Sequence, residues 1–130
     1  MKPVNKKGQE VLNYLAEMAE MSDGHVKIDN TDGCFMPVCI EHIGENLLSI
    51  AHYYEQNSDL MADPEIVFYL RSDGLYYPVS YKQDNLGIYR ESVYFTDGKP
   101  TSYHKKEQAD EAVFAGIWMR NIRNQQSLKV

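Results

Sequence analysis

The stretch HYYEQNSDLMADPEIVF, His52–Phe68, decides how the chain is read. A strand-like run rich in aromatic residues leads into Asn-Ser-Asp. A second apolar run, EIVF, follows Asp-Pro. Strand, turn signals, strand is the grammar of an antiparallel sheet. Three of its acids, Asp59, Asp63 and Glu65, fall within seven residues. They are either a site or the punctuation of a polar bend spanning 57–65.

Working outward, the same grammar repeats. EIVFYLR (65–71) and LYYPVSYKQ (75–83) flank SDG, a short hairpin signal. DNLG (84–87) turns the chain, IYRESVYF (88–95) is the next strand, and TDGKPT is another turn. Upstream, GEN (44–46) separates LLSIAHYYE (47–55) from CFMPVCIEHI (34–43), in which Met36, Val38 and Ile40 share one face. Pro37 cannot donate to a ladder, which favours an edge or a strand start. HVKI (25–28) is short enough for an edge strand, and DNTDG (29–33) is a turn cluster.

Both ends change period. Over 4–21, Val4, Val11, Leu12, Leu15, Met18 and Ala19 fall on one side of a helix that Gly24 ends. Over 104–123 a second helix carries Ala109, Ala112, Val113, Gly116, Ile117, Met119 and Ile122, with Phe114 and Trp118 beside them. Its acids lie early and its arginines late, which suits the helix dipole. Ser102 is the expected N-cap, and 124–130 is expected to fray. The expected fold is a single α+β domain over 1–130. It has an antiparallel meander of five or six strands, with the N- and C-terminal helices packed on one face.

The composition bounds the function. A 130-residue chain with 43% hydrophobic and 25% charged residues can bury a core without staples. A net charge of −6 is the reverse of what phosphate binding needs, so direct nucleic-acid binding is not expected. An acidic surface can instead dock on a basic one. No apolar run approaches a membrane span, and MKPVNKKGQE has no apolar segment behind its basic residues, so neither membrane insertion nor secretion is expected. Cys34 and Cys39 read as free, buried thiols of a reducing cytoplasm.

Alternation leaves a second sheet face that mixes phenols with charge. Ten tyrosines are many for this length, and Tyr suits half-wet surfaces. Tyr69, Arg71, Tyr76, Tyr89, Glu91 and Tyr94 are the expected partner-binding residues. Against them stand bland readings: Tyr has good strand propensity, and Asp-Pro and Asn-Ser-Asp are turn chemistry. Asp59, Asp63 and Glu65, with Asn57, offer oxygen ligands to a hard cation, but no Gly follows and an EF-hand spacing fails. Asp63 with Asp97-Gly98-Lys99 mimics a sparse magnesium-nuclease pattern, yet that pattern wants its Lys in a strand and TDGKP is a turn. His42 lies on the opposite strand face from Cys39 by parity, so no local Cys–His pair forms. No catalytic residue, metal site or cofactor is expected.

HYYEQNSDLMADPEIVF together with YYPVSYKQDNLGIY (76–89) resembles a family of small bacterial domains of unknown function. That family occurs on plasmids, conjugative elements and phage-related regions, sometimes inside larger polyvalent proteins. The resemblance covers residues 25–122, and Ser58 stands where its pattern has Gly. It implies a cytoplasmic bacterial setting and a mobile-element accessory role, such as a host-defence antagonist or regulator, and supplies no catalytic residues. The leading expectation is a non-enzymatic protein that binds a protein partner through a Tyr-rich, acidic sheet surface. The alternative is a metal-dependent, nuclease-like hydrolase using the acids of 57–65. A third is pairing of two copies through an edge strand, the one holding Pro37.

Overall fold

Asn5 opens the first helix: its Oδ1 accepts the Gly8 N–H at 2.8 Å. Helix α1 (Lys6–Glu20) turns Val11, Leu12, Leu15, Ala16 and Ala19 inward at helical spacing. It stops where Gly24, at φ +91°, donates its N–H back to the Ala19 carbonyl at 2.8 Å. Six strands follow in a computed structural model that describes all residues, 1–130. They are β1 (His25–Ile28), β2 (Val38–Gly44), β3 (Leu47–Gln56), β4 (Asp59–Leu70), β5 (Tyr76–Gln83) and β6 (Ile88–Glu91). They pair antiparallel in chain order, as short connections dictate. β7 (Val93–Thr96) and β8 (Lys99–Tyr103) form a separate hairpin, and α2 (Lys105–Gln125) closes the chain. The fold is α+β, with the two terminal helices on one face of the meander.

The core lies between that face and the helices. Val38, Ile40, Leu48, Ile50, Ile66, Phe68 and Tyr76 meet Leu12, Leu15, Ala115, Met119 and Ile122. The helices approach closely where Gly116 faces the α1 cap. A Cβ there would stand 2.8 Å from Asn5 Nδ2, so glycine is what permits the crossing.

Several expectations are corrected. The 57–65 stretch is not a bend. Asn57 and Ser58, both left-handed at φ 52° and 68°, make a two-residue turn, and Asp59–Leu70 is one continuous strand. Ser58 therefore adopts the backbone that a glycine would have taken. Asp63-Pro64 is absorbed as a bulge. Ala51 pairs Glu65 and Tyr53 pairs Ala62, so two residues of β4 oppose His52 alone. IYRESVYF breaks at Ser92, whose N–H bonds the Val79 carbonyl and whose carbonyl accepts the His104 N–H.

Pro37 sits just before β2, which is interior to the sheet. The edges are β1 and β6, so pairing of two copies through the Pro37 strand has no free edge. His104, not Ser102, precedes α2, and Ser102 lies in β8. On α2, Val113 and Ile117 point outward while Gln108, Glu111 and Ala115 are buried. Past α2 the C-terminal segment touches the fold again, with Lys129 and Val130 exposed. Gln126 is buried, accepts the Asn30 N–H at 2.8 Å and donates to the Met36 carbonyl at 3.2 Å, and Leu128 packs on the core.

Candidate functional site

The strand register assigns the side chains of the face turned away from the helices. Ser49 pairs Val67, Val67 pairs Ser80, Ser80 pairs Glu91, and Glu65 and Tyr89 flank Lys82. A second bulge shapes this face. Val67 pairs Ser80 and Phe68 pairs Pro78, leaving Val79 extra. Val79 joins a small cluster with Tyr69 and Val93, on the side away from the helices. The β7–β8 hairpin folds over one corner of the face. There the Phe95 ring meets the Tyr69 ring edge-on at 5.3 Å.

The expected partner-binding residues therefore separate. Tyr89 is 61% exposed and Tyr94 44%, and Glu91 is exposed and accepts the Tyr89 hydroxyl at 2.8 Å. Tyr69 is 9% exposed, capped by Phe95. Tyr76 is 4% exposed and belongs to the core under the helices. The inversion at Tyr76 follows from the Val79 bulge: alternation counted straight through it reverses the residues that precede it. Arg71 is engaged within the 71–75 turn. It binds Asp73 at 2.8 Å and lies 4.5 Å above the Tyr77 ring, whose hydroxyl also donates to Asp73. The Tyr77 hydrogen bond, with Arg71 nearby, holds the Asp73 carboxyl below the usual carboxylate range.

Between hairpin and sheet runs an open groove of about 390 Å³, lined mostly by apolar side chains. Leu47, Val67 and Val79 form the sheet side, Val93 and Phe95 the hairpin side, and exposed Ile43 stands at one end. Beside it the lining turns polar with Glu65, Ser80 and Lys82. Ser49 donates to Glu65 at 2.6 Å. Acids gather on this face. Burial, followed by the nearby Glu65, Cys39, Glu41 and Asp84, pushes the Tyr53 phenol up to about 12. Of the groove residues, sequence reading found Tyr89, Glu91 and Tyr94. It missed Ile43, Leu47 and Val67, because nothing local says that β7–β8 would leave the meander and fold back.

The acids of the quoted stretch do not assemble. Asp59 is exposed at the start of β4, Asp63 accepts from Gln83 Nε2 at 3.1 Å, and Glu65 holds Ser49. No group of three or more His, Cys, Asp or Glu side chains is arranged to hold a metal ion. Lys99 is the first residue of β8, beside the left-handed Asp97-Gly98 turn, and not a turn residue as the sequence suggested; it lies in the two-stranded hairpin, whereas Asp63 lies in β4 of the main sheet. Cys34 is exposed rather than buried, and burial raises the half-buried Cys39 thiol. His42 faces α1, with Nε2 3.2 Å from the Ala16 carbonyl, away from Cys39. No helix is long and apolar enough to cross a membrane.

One acid was not singled out by sequence. Glu111 on α2 is 6% exposed, and Ser92 Oγ donates to its Oε1 at 2.9 Å. Burial raises its pKa above 4.5, with Glu107 adding to the rise and Ser92 and Arg90 opposing it. A carboxyl raised on folding contributes stability in full below its unfolded pKa and loses it as pH climbs through the folded value. Glu111→Gln is therefore expected to raise Tm near neutral pH and to change it little near pH 4, the difference opening as pH rises. Melting curves across pH check this.

No curated protein and no solved structure matches the chain. A family model does, over residues 9–128, nearly the whole fold from the second turn of α1 to the buried C-terminal segment. The chain belongs to the family described as Domain of unknown function (DUF6908).

Proposed function

We propose that this protein is a non-enzymatic binding protein that docks a protein partner on the open sheet face. The partner presents an apolar anchor to the groove and basic side chains to its rim. One observation carries the reading: an apolar groove left uncovered beside Tyr89, Tyr94 and Ile43, next to Glu91 and Glu65. Exposed phenols beside apolar pockets are the usual anchors of protein interfaces, and charge at the rim selects the partner and speeds encounter. The chain's net charge of −6 favours a basic partner. The mobile-element accessory role, in a bacterial cytoplasm and acting on a host factor, is part of the same proposal. It rests on the family resemblance of the two sequence blocks.

The test pairs capture with stability. In capture from the native host, Ile43→Ala with Tyr89→Ala is expected to weaken partner binding by about 2–4 kcal/mol, or roughly 30- to 1000-fold. Glu91→Lys is expected to slow association and to weaken its salt dependence. Both variants should melt within about 0.5 kcal/mol of the parent, because these side chains are exposed. A partner retained by all the variants contradicts the proposal, and a concentration-dependent dimer lost in them assigns the groove to a second copy instead.

A further inference from the structure

A second concavity, separate from the sheet groove, opens between α2 and the β5–β6 edge. It measures about 300 Å³ and is lined by Tyr81, Arg90, Glu107, Asp110, Glu111 and Phe114. Tyr81 and Phe114 meet at 5.9 Å and 79°, so their rings form a corner with two π surfaces at right angles. Three carboxyls line the cavity against a single guanidinium. Arg90 lies over the Tyr81 ring at 5.5 Å and is within ion-pairing distance of none of the three acids. Asp110 holds Lys106 at 3.5 Å, an exposed pair of little energetic weight.

The decisive feature is Glu111. It lines the cavity and is more than nine-tenths buried. Its Oε1 is held by Ser92, but its Oε2 is sealed from solvent and has no hydrogen-bond partner. A buried carboxylate oxygen without a donor costs free energy until a donor reaches it. Aromatic faces at a right angle beside a carboxylate are what a desolvated organic cation requires: quadrupoles for the charge, and an acceptor for its N–H groups.

We propose that this cavity is a binding site for an organic cation, an alkylammonium group that draws the Glu111 carboxyl round toward the cavity, donates to its Oε2 and packs against Tyr81 and Phe114. The group is either a free amine or a lysine side chain of another protein. Glu107 and Asp110 supply the long-range attraction, and Arg90 opposes it. Binding stabilises the ionised form of Glu111, so affinity rises with pH as that carboxyl deprotonates. The other groups facing the cation are Glu107, Asp110, Arg90 and Tyr81, whose phenol burial pushes up from its ordinary value.

Two probes separate the sources: putrescine for a free amine, and Nα-acetyl-lysine methylamide for a protein side chain. Binding is read from amide chemical shifts over 107–114. The single tryptophan supplies a second signal, since the Trp118 ring stacks on Phe114 at 6.3 Å. The expected result is saturable binding with a Kd on the order of 1 mM. Glu111→Gln, which keeps the shape, should weaken it about tenfold and remove its pH dependence, Phe114→Ala should weaken it, and Arg90→Ala should tighten it. Preference for putrescine assigns a free amine, and preference for the lysine analogue assigns a protein side chain. The proposal is overturned by the absence of saturable shifts, by shifts that sodium chloride reproduces at equal ionic strength, or by affinity unchanged in both Glu111→Gln and Phe114→Ala.

Discussion

Tyr76→Ala is expected to cost the fold about 3–5 kcal/mol, the range for truncating a large buried aromatic side chain. Tyr89→Ala, thirteen positions on, is expected to stay within about 0.5 kcal/mol. The two residues look alike in a strand-rich sequence. Tyr76 pairs Leu70 at the start of β5 and lies under the helices among Leu15, Phe68 and Met119. Tyr89 lies across β6 from Lys82, with its hydroxyl on Glu91. Chemical denaturation of the two variants measures both numbers. Equal losses would place both rings on one side of the sheet and invert the assignment of its open face.

Gln9→Leu is expected to be nearly as damaging, by about 3 kcal/mol, although it adds apolar surface to a helix. The Gln9 side chain is buried and spans from α1 to β5. Its Nε2 donates to the Val4 and Tyr76 carbonyls, both at 2.9 Å, and its Oε1 accepts the Tyr76 N–H at 2.8 Å. Tyr76 N–H would lose this acceptor, and the two carbonyls this donor. Each buried backbone group left unmatched costs about 1–3 kcal/mol. The Val4 N–H still reaches the Tyr76 carbonyl at 3.2 Å, which tempers the loss. Calorimetry gives the magnitude, and hydrogen exchange at Tyr76 gives the place. A variant that melts with the parent and keeps the Tyr76 amide protected would mean that Gln9 is not the strut between α1 and β5.

Much of this architecture is written in local signals. The helices follow from the spacing of Leu12, Leu15 and Ala19 and of Ala112, Met119 and Ile122. The hairpin at Ser72-Asp73-Gly74 follows from its turn residues, with Gly74 left-handed at φ 81°. Three features were not legible, and each has a physical cause. Asp-Pro reads as a turn, but the sheet accommodates Asp63-Pro64 as a bulge opposite His52, and so the acids of 57–65 become strand residues. The Val79 bulge shifts parity within β5, which carries Tyr76 into the core while Ser80 and Lys82 stay outside. The break at Ser92 depends on Glu111, distant in sequence, whose carboxylate accepts the buried hydroxyl.

The site was half legible for the same reason. Tyr89 and Glu91 share one face as alternation puts them, since β6 is short and free of bulges, whereas Tyr94, of opposite parity, reaches the same groove only because the chain breaks at Ser92. Ile43, Leu47 and Val67 become a groove only because the β7–β8 hairpin folds back beside them. The Val113–Ile117 stripe of α2 went the other way. Helical periodicity marks it as apolar, but the buried side of α2 is set by Glu111, Ala115 and Met119, so the stripe faces solvent.

That exposed stripe makes the docking surface a question with two answers, and site-specific photo-crosslinking decides between them. A benzophenone amino acid placed in turn at Tyr89, at Ile117 on α2 and at Glu17 on α1 would be activated in the native host. The account predicts a discrete covalent adduct with one basic protein from position 89, and none from positions 117 or 17. An adduct from 117 with none from 89 would contradict it and move the interface to the helices.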